Sequence, residues 1–184
     1  TATALRAKAF GMQVGVHDPH IPDGQEIAVG VARFGELLEL ARWADVLSLH
    51  APLNPETARM IGRDVLEALG PEGILVNTAR GGLVDLDALA EALVEDRLRA
   101  AALDVFPQEP PPPEARLLSA LGDMGSLRDR VILTPHSAWS SIESCADART
   151  KSVRIIRDFL LDGRLRNCVN AELLVGDERP RATA

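Results

Sequence analysis

The sequence predicts an α/β protein built on a doubly wound parallel sheet. Strand and helix signals alternate along the chain with short connections, a pattern typical of that architecture. Three apolar, β-prone segments end in polar residues, namely VNTARGGLVD (76–85), ALDVFPQEP (102–110) and LTPHSAW (133–139). The composition, 46% hydrophobic and 26% charged over 184 residues, is ordinary for a globular domain. Parallel strands joined by right-handed helical crossovers form such a sheet.

The first half of the chain contains two predicted helices and three predicted strands. The first helix ends at Gly11, since glycine is typical of the position just past a helix. In chain order we expect a helix over 1–10, strands over 13–17 and 29–32, a helix over 35–44 and a strand over 46–50. The turn-rich loop APLNPET follows the last of these strands.

The second half alternates in the same way. Asp85 is the expected N-cap of a helix that runs to about Asp96. The other expected elements are a helix over 62–69, strands over 73–77, 101–105 and 131–133, and a long helix over 140–161. Prolines between residues 107 and 113 exclude regular structure before about Glu114. The tail GDERPRATA is polar and is expected to fray.

One part of such a sheet is missing from the sequence. Nucleotide-binding sheets of this class open with a strand and a G-x-G-x-x-G turn, whose backbone N–H groups receive a pyrophosphate. This chain begins within what looks like the helix after that turn. Without the central first strand, its two neighbours have unpaired edges. We therefore expect an amino-terminally truncated piece of a nucleotide-binding domain.

Charge and cysteine content narrow the functional class. The net charge of −7 argues against a nucleic-acid surface, which needs a clustered basic patch. No apolar run approaches the roughly 20 residues that span a bilayer, so we expect no membrane association. Two cysteines, Cys145 and Cys168, fit a reducing cytoplasm better than a disulfide framework.

The three polar strand ends supply an arginine, a carboxylate and a histidine. Ligands of open α/β sheets bind where Arg80, Glu109 and His136 are expected, at the carboxyl ends of the strands. A guanidinium can hold a substrate carboxylate, and a carboxylate can orient and stabilise a protonated imidazole. Such a histidine can protonate a carbonyl oxygen as hydride reaches the carbon. The alternatives are a structural arginine pair, a solvated loop glutamate and a structural histidine.

Asp18 ends the strand expected at 13–17. A carboxylate there can accept hydrogen bonds from the ribose hydroxyls of NAD and repel the 2′-phosphate of NADP. The alternative is a turn-forming aspartate before Pro19. His17 and His20 lie beside Asp18, but no third ligand is nearby, so we predict no metal site.

Further residues follow strand ends in the same layer. His50 and the loop Ala51–Thr57 are expected beneath a ribose if the sheet binds a dinucleotide. Asp104 ends its strand where it can meet a nicotinamide carboxamide. Trp139 either walls the substrate pocket or belongs to the core.

The three segments resemble the catalytic stretches of the D-isomer-specific 2-hydroxyacid dehydrogenase family. The resemblance covers residues 1–170. Within the family, residues 5–24, the segment HSAW (136–139) and the segment LRNCVN (165–170) look closest to the C-terminal-binding-protein branch of NAD-linked corepressors and their bacterial dehydrogenase relatives.

The resemblance implies a Rossmann-type NAD-binding domain with defined residue roles. Arg80 binds the substrate carboxylate and polarises the carbonyl, His136 is the general acid/base, and Glu109 orients and charges it. The implied NAD-binding residues are Asp18, His50, Ala51, Pro52, Leu53, Asn54, Thr57, Thr78, Ala79, Arg80, Asp104, His136, Ser137, Ala138 and Trp139. The implied partners are a small 2-oxo or 2-hydroxy acid and a second copy of the chain, paired through the nucleotide-binding domain.

The same resemblance suggests how the chain is divided. Residues 1–139 are expected to form a partial NAD-binding domain, 140–170 a long helix and a segment returning toward an absent substrate domain, and 171–184 a polar tail. The stretch 110–130 is longer than the family's usual link. The leading hypothesis is an NAD-dependent dehydrogenase acting on D-2-hydroxy acids. The alternatives are an NAD-sensing corepressor or scaffold and an inactive fragment.

Overall fold

The computed structural model describes residues 1–123 and 125–170. The chain divides into two compact units, the first Thr1–Ala138 and the second beginning at Trp139. The first unit contains all the strands found in the described residues, with six of the helices. The second contains one long helix in its described part.

The first unit alternates helices and parallel strands. Its helices are α1 (Ala2–Ala9), α2 (Gln25–Val29), α3 (Leu37–Trp43), α4 (Arg63–Leu69), α5 (Leu86–Val94) and α6 (Arg116–Asp123). Its strands are β1 (Gly15–Val16), β2 (Ala32–Arg33), β3 (Val46–Leu49), β4 (Ile74–Asn77), β5 (Ala100–Leu103) and β6 (Val131–Leu133). Short 3-10 helices cover Gly81–Leu83 and Gly125–Leu127. The second unit holds α7 (Ile142–Asp162).

The strands of the first unit form two parallel sheets. Strands β3, β4, β5 and β6 lie side by side in that order, and β1 pairs with β2 in a separate sheet. Val46 is opposite Ile74, and Ile74 is opposite Ala100, so the strand ends stay level across the larger sheet. This register places the residues that follow β4, β5 and β6 at one edge. The parallel α/β class predicted from the sequence is confirmed.

One face of the larger sheet carries the core. Alternate strand residues such as Leu47, Leu75 and Leu103 are buried among the apolar side chains of α3 to α6. Alternation also leaves Val46 and Ile132, on the opposite face, 46% and 66% exposed. The helices therefore fix the sheet from one side and hold its carboxyl edge in place.

Helix ends in this unit follow the predicted capping chemistry. The Asp85 carboxylate accepts hydrogen bonds from the backbone N–H groups of Asp87 and Ala88 at the start of α5. It also pairs with the Arg59 guanidinium, and this contact comes first among the causes that hold the pKa of Asp85 below its ordinary value. Gly11 follows α1 with a φ of 79°, as expected for a residue that ends a helix.

Two sequence predictions need correction. Residues 29–32 were expected to form a strand, but Val29 ends α2 and the strand begins at Ala32. Gly24 and Gly30 bound α2, both with positive φ, and these caps outweigh the β-prone apolar residues between them. The strand expected at 13–17 is shorter, Gly15–Val16. The segment 131–133 forms the expected strand, and α6 begins after the proline stretch.

The second unit is described as far as residue 170, so the predicted polar tail 171–184 lies outside the described residues. Helix α7 opens with a capping box, in which the Ser141 hydroxyl accepts from the Ser144 N–H and the Ser144 hydroxyl accepts from the Ser141 N–H. Gly163 ends it with a φ of 64°. Among the described helices, none is long and apolar enough to cross a membrane.

Candidate active site

The loop after β4 presents Arg80. Asn77, the last residue of β4, accepts a hydrogen bond from the Ala79 N–H (3.0 Å) and donates one to the Arg80 carbonyl (2.9 Å). The Arg80 side chain is exposed, and its guanidinium donates to the Ala79 carbonyl. Backbone held this tightly fixes the direction in which the arginine leaves the sheet edge.

The loop after β5 supplies Glu109, and the loop after β6 supplies His136. The two side chains meet, with His136 Nδ1 2.7 Å from Glu109 Oε2. The other carboxylate oxygen accepts a hydrogen bond from the Phe106 N–H at 3.0 Å. The His136 contact and the Phe106 N–H hold the pKa of Glu109 below its ordinary value of 4.5. A carboxylate that stays charged can orient an imidazole and stabilise its protonated form.

His136 is held in an unusual backbone conformation. Its φ is 51°, in the left-handed region that a non-glycine residue rarely occupies. The His136 N–H donates to the backbone carbonyl of Asp104 at 2.8 Å. The surrounding hydrogen bonds therefore determine where the imidazole lies.

Asp104 organises the loop that carries His136. Its carboxylate accepts hydrogen bonds from the Thr134 hydroxyl at 2.5 Å and from the N–H groups of Ser137 and Ala138 at 2.9 and 3.0 Å. Burial raises the pKa of Asp104, but these three donors and the nearby His136 outweigh it, and the net shift is downward. The residue is only 4% exposed, so its carboxylate is a buried anion satisfied by protein donors.

Arg80, Glu109 and His136 line one cavity of about 250 Å³ within the first unit. Leu53, Phe106 and Pro107 contribute apolar surface to the same cavity. The arrangement combines a cation that can bind a carboxylate, an acid–base pair and an apolar wall. The three residues predicted to be catalytic are therefore brought together.

Two residues predicted to bind the nucleotide, Asp18 and His50, follow strands β1 and β3. One Asp18 carboxylate oxygen accepts a hydrogen bond from the His20 N–H at 2.9 Å. His20 in turn lies 3.4 Å from Glu56. His50 is 3.1 Å from the Ser48 hydroxyl, and burial is the main cause that lowers its pKa. Asp18 and His50 do not line the cavity of the acid–base pair.

The loop 51–57 has its own internal order. The Asn54 carboxamide oxygen accepts hydrogen bonds from the N–H groups of Glu56 and Thr57, and the Thr57 hydroxyl donates to the Pro52 carbonyl. Of its members, Leu53 reaches the cavity. Among the predicted nucleotide residues that follow β4, Thr78 is exposed and Ala79 is half-buried.

The remaining predictions concern metals and the segment after His136. Ser137 and Ala138 contribute backbone N–H groups to Asp104, whereas Trp139 belongs to the second unit. In residues 1–123 and 125–170 there is no group of three or more His, Cys, Asp or Glu side chains that could hold a metal ion.

Sequence reasoning missed three residues that shape the site. These are Asn77, whose side chain holds the Arg80 loop, Phe106, whose N–H holds Glu109, and Thr134, which binds Asp104. Asn77 sits at a strand end before a turn, where a side-chain amide often binds nearby backbone, so it carried a signal that could have been used. A backbone N–H such as that of Phe106 carries none.

Comparison with known proteins identifies the class of the fold and then the family. Residues 1–138 match the family described as D-isomer specific 2-hydroxyacid dehydrogenase, NAD binding domain. The chain is 41% identical over 165 residues to a D-3-phosphoglycerate dehydrogenase of Methanocaldococcus jannaschii, covering 90% of this chain and 30% of that protein.

Two solved structures extend the comparison. An NADPH-dependent glyoxylate/hydroxypyruvate reductase from Sinorhizobium meliloti, in complex with NADP and malonate, has a TM-score of 0.79 at 30% identity, over 100% of this chain and 51% of that one. The NAD-complexed form of a D-isomer specific 2-hydroxyacid dehydrogenase from Lactobacillus delbrueckii ssp. bulgaricus has a TM-score of 0.78 at 27% identity, over 92% and 52%.

The parallel α/β fold and the family match together define a nucleotide-binding domain of a dehydrogenase family. The chain belongs to the NAD-binding domain family of the D-isomer specific 2-hydroxyacid dehydrogenases. The predicted family and its cofactor, NAD, are confirmed at this level. The chain spans about half the length of these two structures and 30% of the phosphoglycerate dehydrogenase.

Proposed function

We propose that this chain supplies the NAD-binding and acid–base part of an enzyme that interconverts a 2-oxo acid and a D-2-hydroxy acid. The observation that carries the proposal is the 2.7 Å contact between His136 Nδ1 and Glu109 Oε2 in the cavity that Arg80 also lines. A paired imidazole and a nearby guanidinium match a substrate that has a carboxylate beside a carbonyl.

The residues present fit NAD on the adenosine side. Asp18 is exposed and uses one carboxylate oxygen within its own turn, so the other can accept hydrogen bonds from ribose hydroxyls. The other residues proposed to hold the dinucleotide are His50, Ala51, Pro52, Leu53, Asn54, Thr57, Thr78, Ala79, Arg80, Asp104, His136, Ser137, Ala138 and Trp139. Bound NAD supplies the hydride acceptor in one direction and the hydride donor in the other.

The catalytic roles follow from the contacts of each group. The Arg80 guanidinium binds the substrate carboxylate and polarises the adjacent carbonyl. His136 bonds Glu109 through Nδ1, so the proton that moves to the carbonyl oxygen is the one on Nε2. Glu109 stabilises the imidazolium before transfer, and the reverse reaction returns the proton to Nε2. The apolar side chains of Leu53, Phe106 and Pro107 limit the water around this transfer.

The test uses the full polypeptide that the gene of this protein encodes. Glyoxylate, pyruvate and hydroxypyruvate are each mixed with NADH, and NADH oxidation is followed by absorbance. We expect oxidation that depends on the 2-oxo acid and, from pyruvate, a D-configured product by chiral chromatography. His136→Ala and Arg80→Ala should each lower kcat/KM at least about 100-fold. The exposed Arg42→Ala on α3 is the matched control for the arginine. An L-configured product, or an active His136→Ala enzyme, would contradict the proposal.

An NAD-sensing corepressor of the C-terminal-binding-protein type is the second candidate. It is supported by the branch-like segments at 5–24, 136–139 and 165–170. Turnover separates the two, because a sensor binds NADH without needing to oxidise it at a useful rate. Binding of NADH together with negligible turnover of all three 2-oxo acids would favour the corepressor.

We also propose a homodimer formed through the nucleotide-binding domain and a cytoplasmic location. Support comes from the resemblance stated above and from two cysteines that form no disulfide in the described residues. Light scattering coupled to gel filtration measures the mass directly. A monomeric mass at micromolar concentration would contradict the dimer.

A further inference from the structure

Asn77 is a buried polar residue outside the set of groups that touch substrate. It ends β4 and is 1% exposed, with apolar residues such as Leu75 and Leu103 nearby in the sheet. A buried carboxamide is costly unless its donors and acceptor are used. Its position at the end of the strand that leads to Arg80 indicates a role in that loop.

Both ends of the Asn77 carboxamide form hydrogen bonds with the backbone of the loop that follows, at Ala79 and Arg80. Its oxygen accepts from the Ala79 N–H, and its nitrogen donates to the Arg80 carbonyl at 2.9 Å. The Arg80 carbonyl also accepts from the Leu83 N–H at 3.2 Å. The carbonyl of Arg80 is therefore fixed from two sides, and the side chain leaves the backbone from a defined point.

The same residue links Arg80 to the histidine loop. The backbone carbonyl of Asn77 accepts a hydrogen bond from the Asp104 N–H at 2.9 Å. The Asp104 carboxylate in turn holds the loop that carries His136. Asn77 thus contacts the Arg80 loop through its side chain and the residue after β5 through its backbone carbonyl.

The two glycines that follow Arg80 are closely packed, so the loop has little room to shift. A Cβ added at Gly81 would overlap the backbone carbonyl of Phe106 and the nitrogen of Pro107. A Cβ at Gly82 would lie 2.8 Å from the Leu53 side chain. If the Asn77 contacts were lost, Gly81 and Gly82 would stay packed against these residues, while the Arg80 carbonyl would lose the side-chain donor that fixes it.

We propose that Asn77 is a positioning residue that sets the Arg80 guanidinium for the substrate carboxylate. This inference rests on the proposed function. The role needs a donor and an acceptor in one short side chain. Aspartate keeps the acceptor for Ala79 but places an oxygen against the Arg80 carbonyl, and serine is too short to hold both contacts at once.

The test is a double-mutant cycle, measured on the full polypeptide that the gene of this protein encodes. The kcat/KM for glyoxylate with NADH is measured for wild type, Asn77→Asp, Arg80→Ala and the double variant. We expect Asn77→Asp to lower kcat/KM at least about tenfold when Arg80 is present and less than about twofold when it is absent.

A buried-core control separates positioning from loss of stability. Leu117→Ala in α6 removes a fully buried side chain that does not line the cavity. Its effect on kcat/KM should be the same with and without Arg80. If Asn77→Asp does not fold, as judged by circular dichroism, Asn77→Ser takes its place in the same cycle.

Two results would overturn the inference, and they differ. An equal loss from Asn77→Asp in both Arg80 backgrounds would show that Asn77 acts only on the fold, leaving the proposed function standing. An Arg80→Ala enzyme with unchanged kcat/KM would remove the proposed role of Arg80 and the positioning role with it.

Discussion

Glu109 bridges the imidazole of His136 and the backbone of its own loop. One carboxylate oxygen lies 2.7 Å from His136 Nδ1, and the other accepts the Phe106 N–H at 3.0 Å. The Phe106 N–H therefore fixes the carboxylate that contacts the histidine. Both contacts also lower the pKa of Glu109. A charge that is held in place orients the imidazole better than a freely rotating side chain would.

Replacing Glu109 by glutamine tests the charge rather than the shape. Glutamine can still contact Nδ1 but cannot stabilise the imidazolium by charge. We expect kcat/KM for 2-oxo acid reduction to fall roughly 10- to 100-fold. Steady-state kinetics at neutral pH measures the effect. An unchanged kcat/KM would argue against Glu109 as the charging group.

Asp18 is predicted to set the preference between the two dinucleotides. In sheets of this class a carboxylate at this strand end faces the ribose 2′ position, so we predict that Asp18 repels a phosphate there. We expect Asp18→Ala to raise the ratio of NADPH to NADH efficiency roughly tenfold, mainly through the KM for the cofactor. Asp18→Asn, which keeps the size, should have a similar effect. Equal use of both cofactors by the wild type would remove the argument.

The buried Asp104 carboxylate should depend on its hydroxyl donor. Thr134→Val removes that donor while keeping the shape of the side chain, whereas Thr134→Ser retains the hydroxyl. We expect Thr134→Val to lower the free energy of unfolding by about 1–3 kcal/mol and to reduce kcat, because the His136 loop is no longer fixed. Thr134→Ser should stay near the wild type in both. Denaturant unfolding measures the stability of both variants, and steady-state kinetics measures their kcat. Equal values for Thr134→Val and Thr134→Ser would contradict the prediction.

The Asp85 cap gives a prediction about pH and stability that needs no enzyme assay. Hydrogen bonding from Arg59 is the first cause that lowers its pKa below the ordinary 3.8. A lowered folded-state pKa stabilises the protein above the unfolded pKa, and this stabilisation is lost as the pH falls through the folded value. Asp85→Ala should cost about 0.5–2 kcal/mol at pH 7.

Asp85→Asn is the matched variant, because asparagine can still cap α5. It should cost less than Asp85→Ala at neutral pH, since the Arg59 side chain is 69% exposed and its ion pair is screened by solvent. Below the lowered pKa of Asp85 the wild type and Asp85→Asn should become equally stable. A difference that persists in acid would mean that the charge of Asp85 is not responsible.

The candidate catalytic residues could be predicted from the sequence because each one follows a clear apolar strand. Arg80, Glu109 and His136 were assigned from that rule, and the structure places them around one cavity. Their catalytic roles stay predictions. The parallel class was also accessible, because the connections are short and the strands are buried.

Other features depend on contacts that local patterns do not encode. Helix α2 has five residues and is defined by Gly24 and Gly30 rather than by apolar periodicity, so it was assigned in part to a strand. The packing of Gly81 against Phe106 joins two loops that are distant in sequence. Asp104 was expected to face a nicotinamide carboxamide, but its oxygens also bind Thr134, Ser137 and Ala138, a demand visible only in three dimensions.

Strands β4, β5 and β6 are consecutive along the chain and adjacent in the sheet. Arg80, Glu109 and His136 therefore lie within one continuous stretch of the chain, residues 80–136. Recombination or insertion outside that stretch can exchange the remainder of a protein without separating these three side chains. Proteins that share this domain can thus diverge in what they act on while inheriting the arginine, glutamate and histidine as a single heritable block. Two relatives of this chain are named for different substrates, one as a phosphoglycerate dehydrogenase and the other as a glyoxylate/hydroxypyruvate reductase.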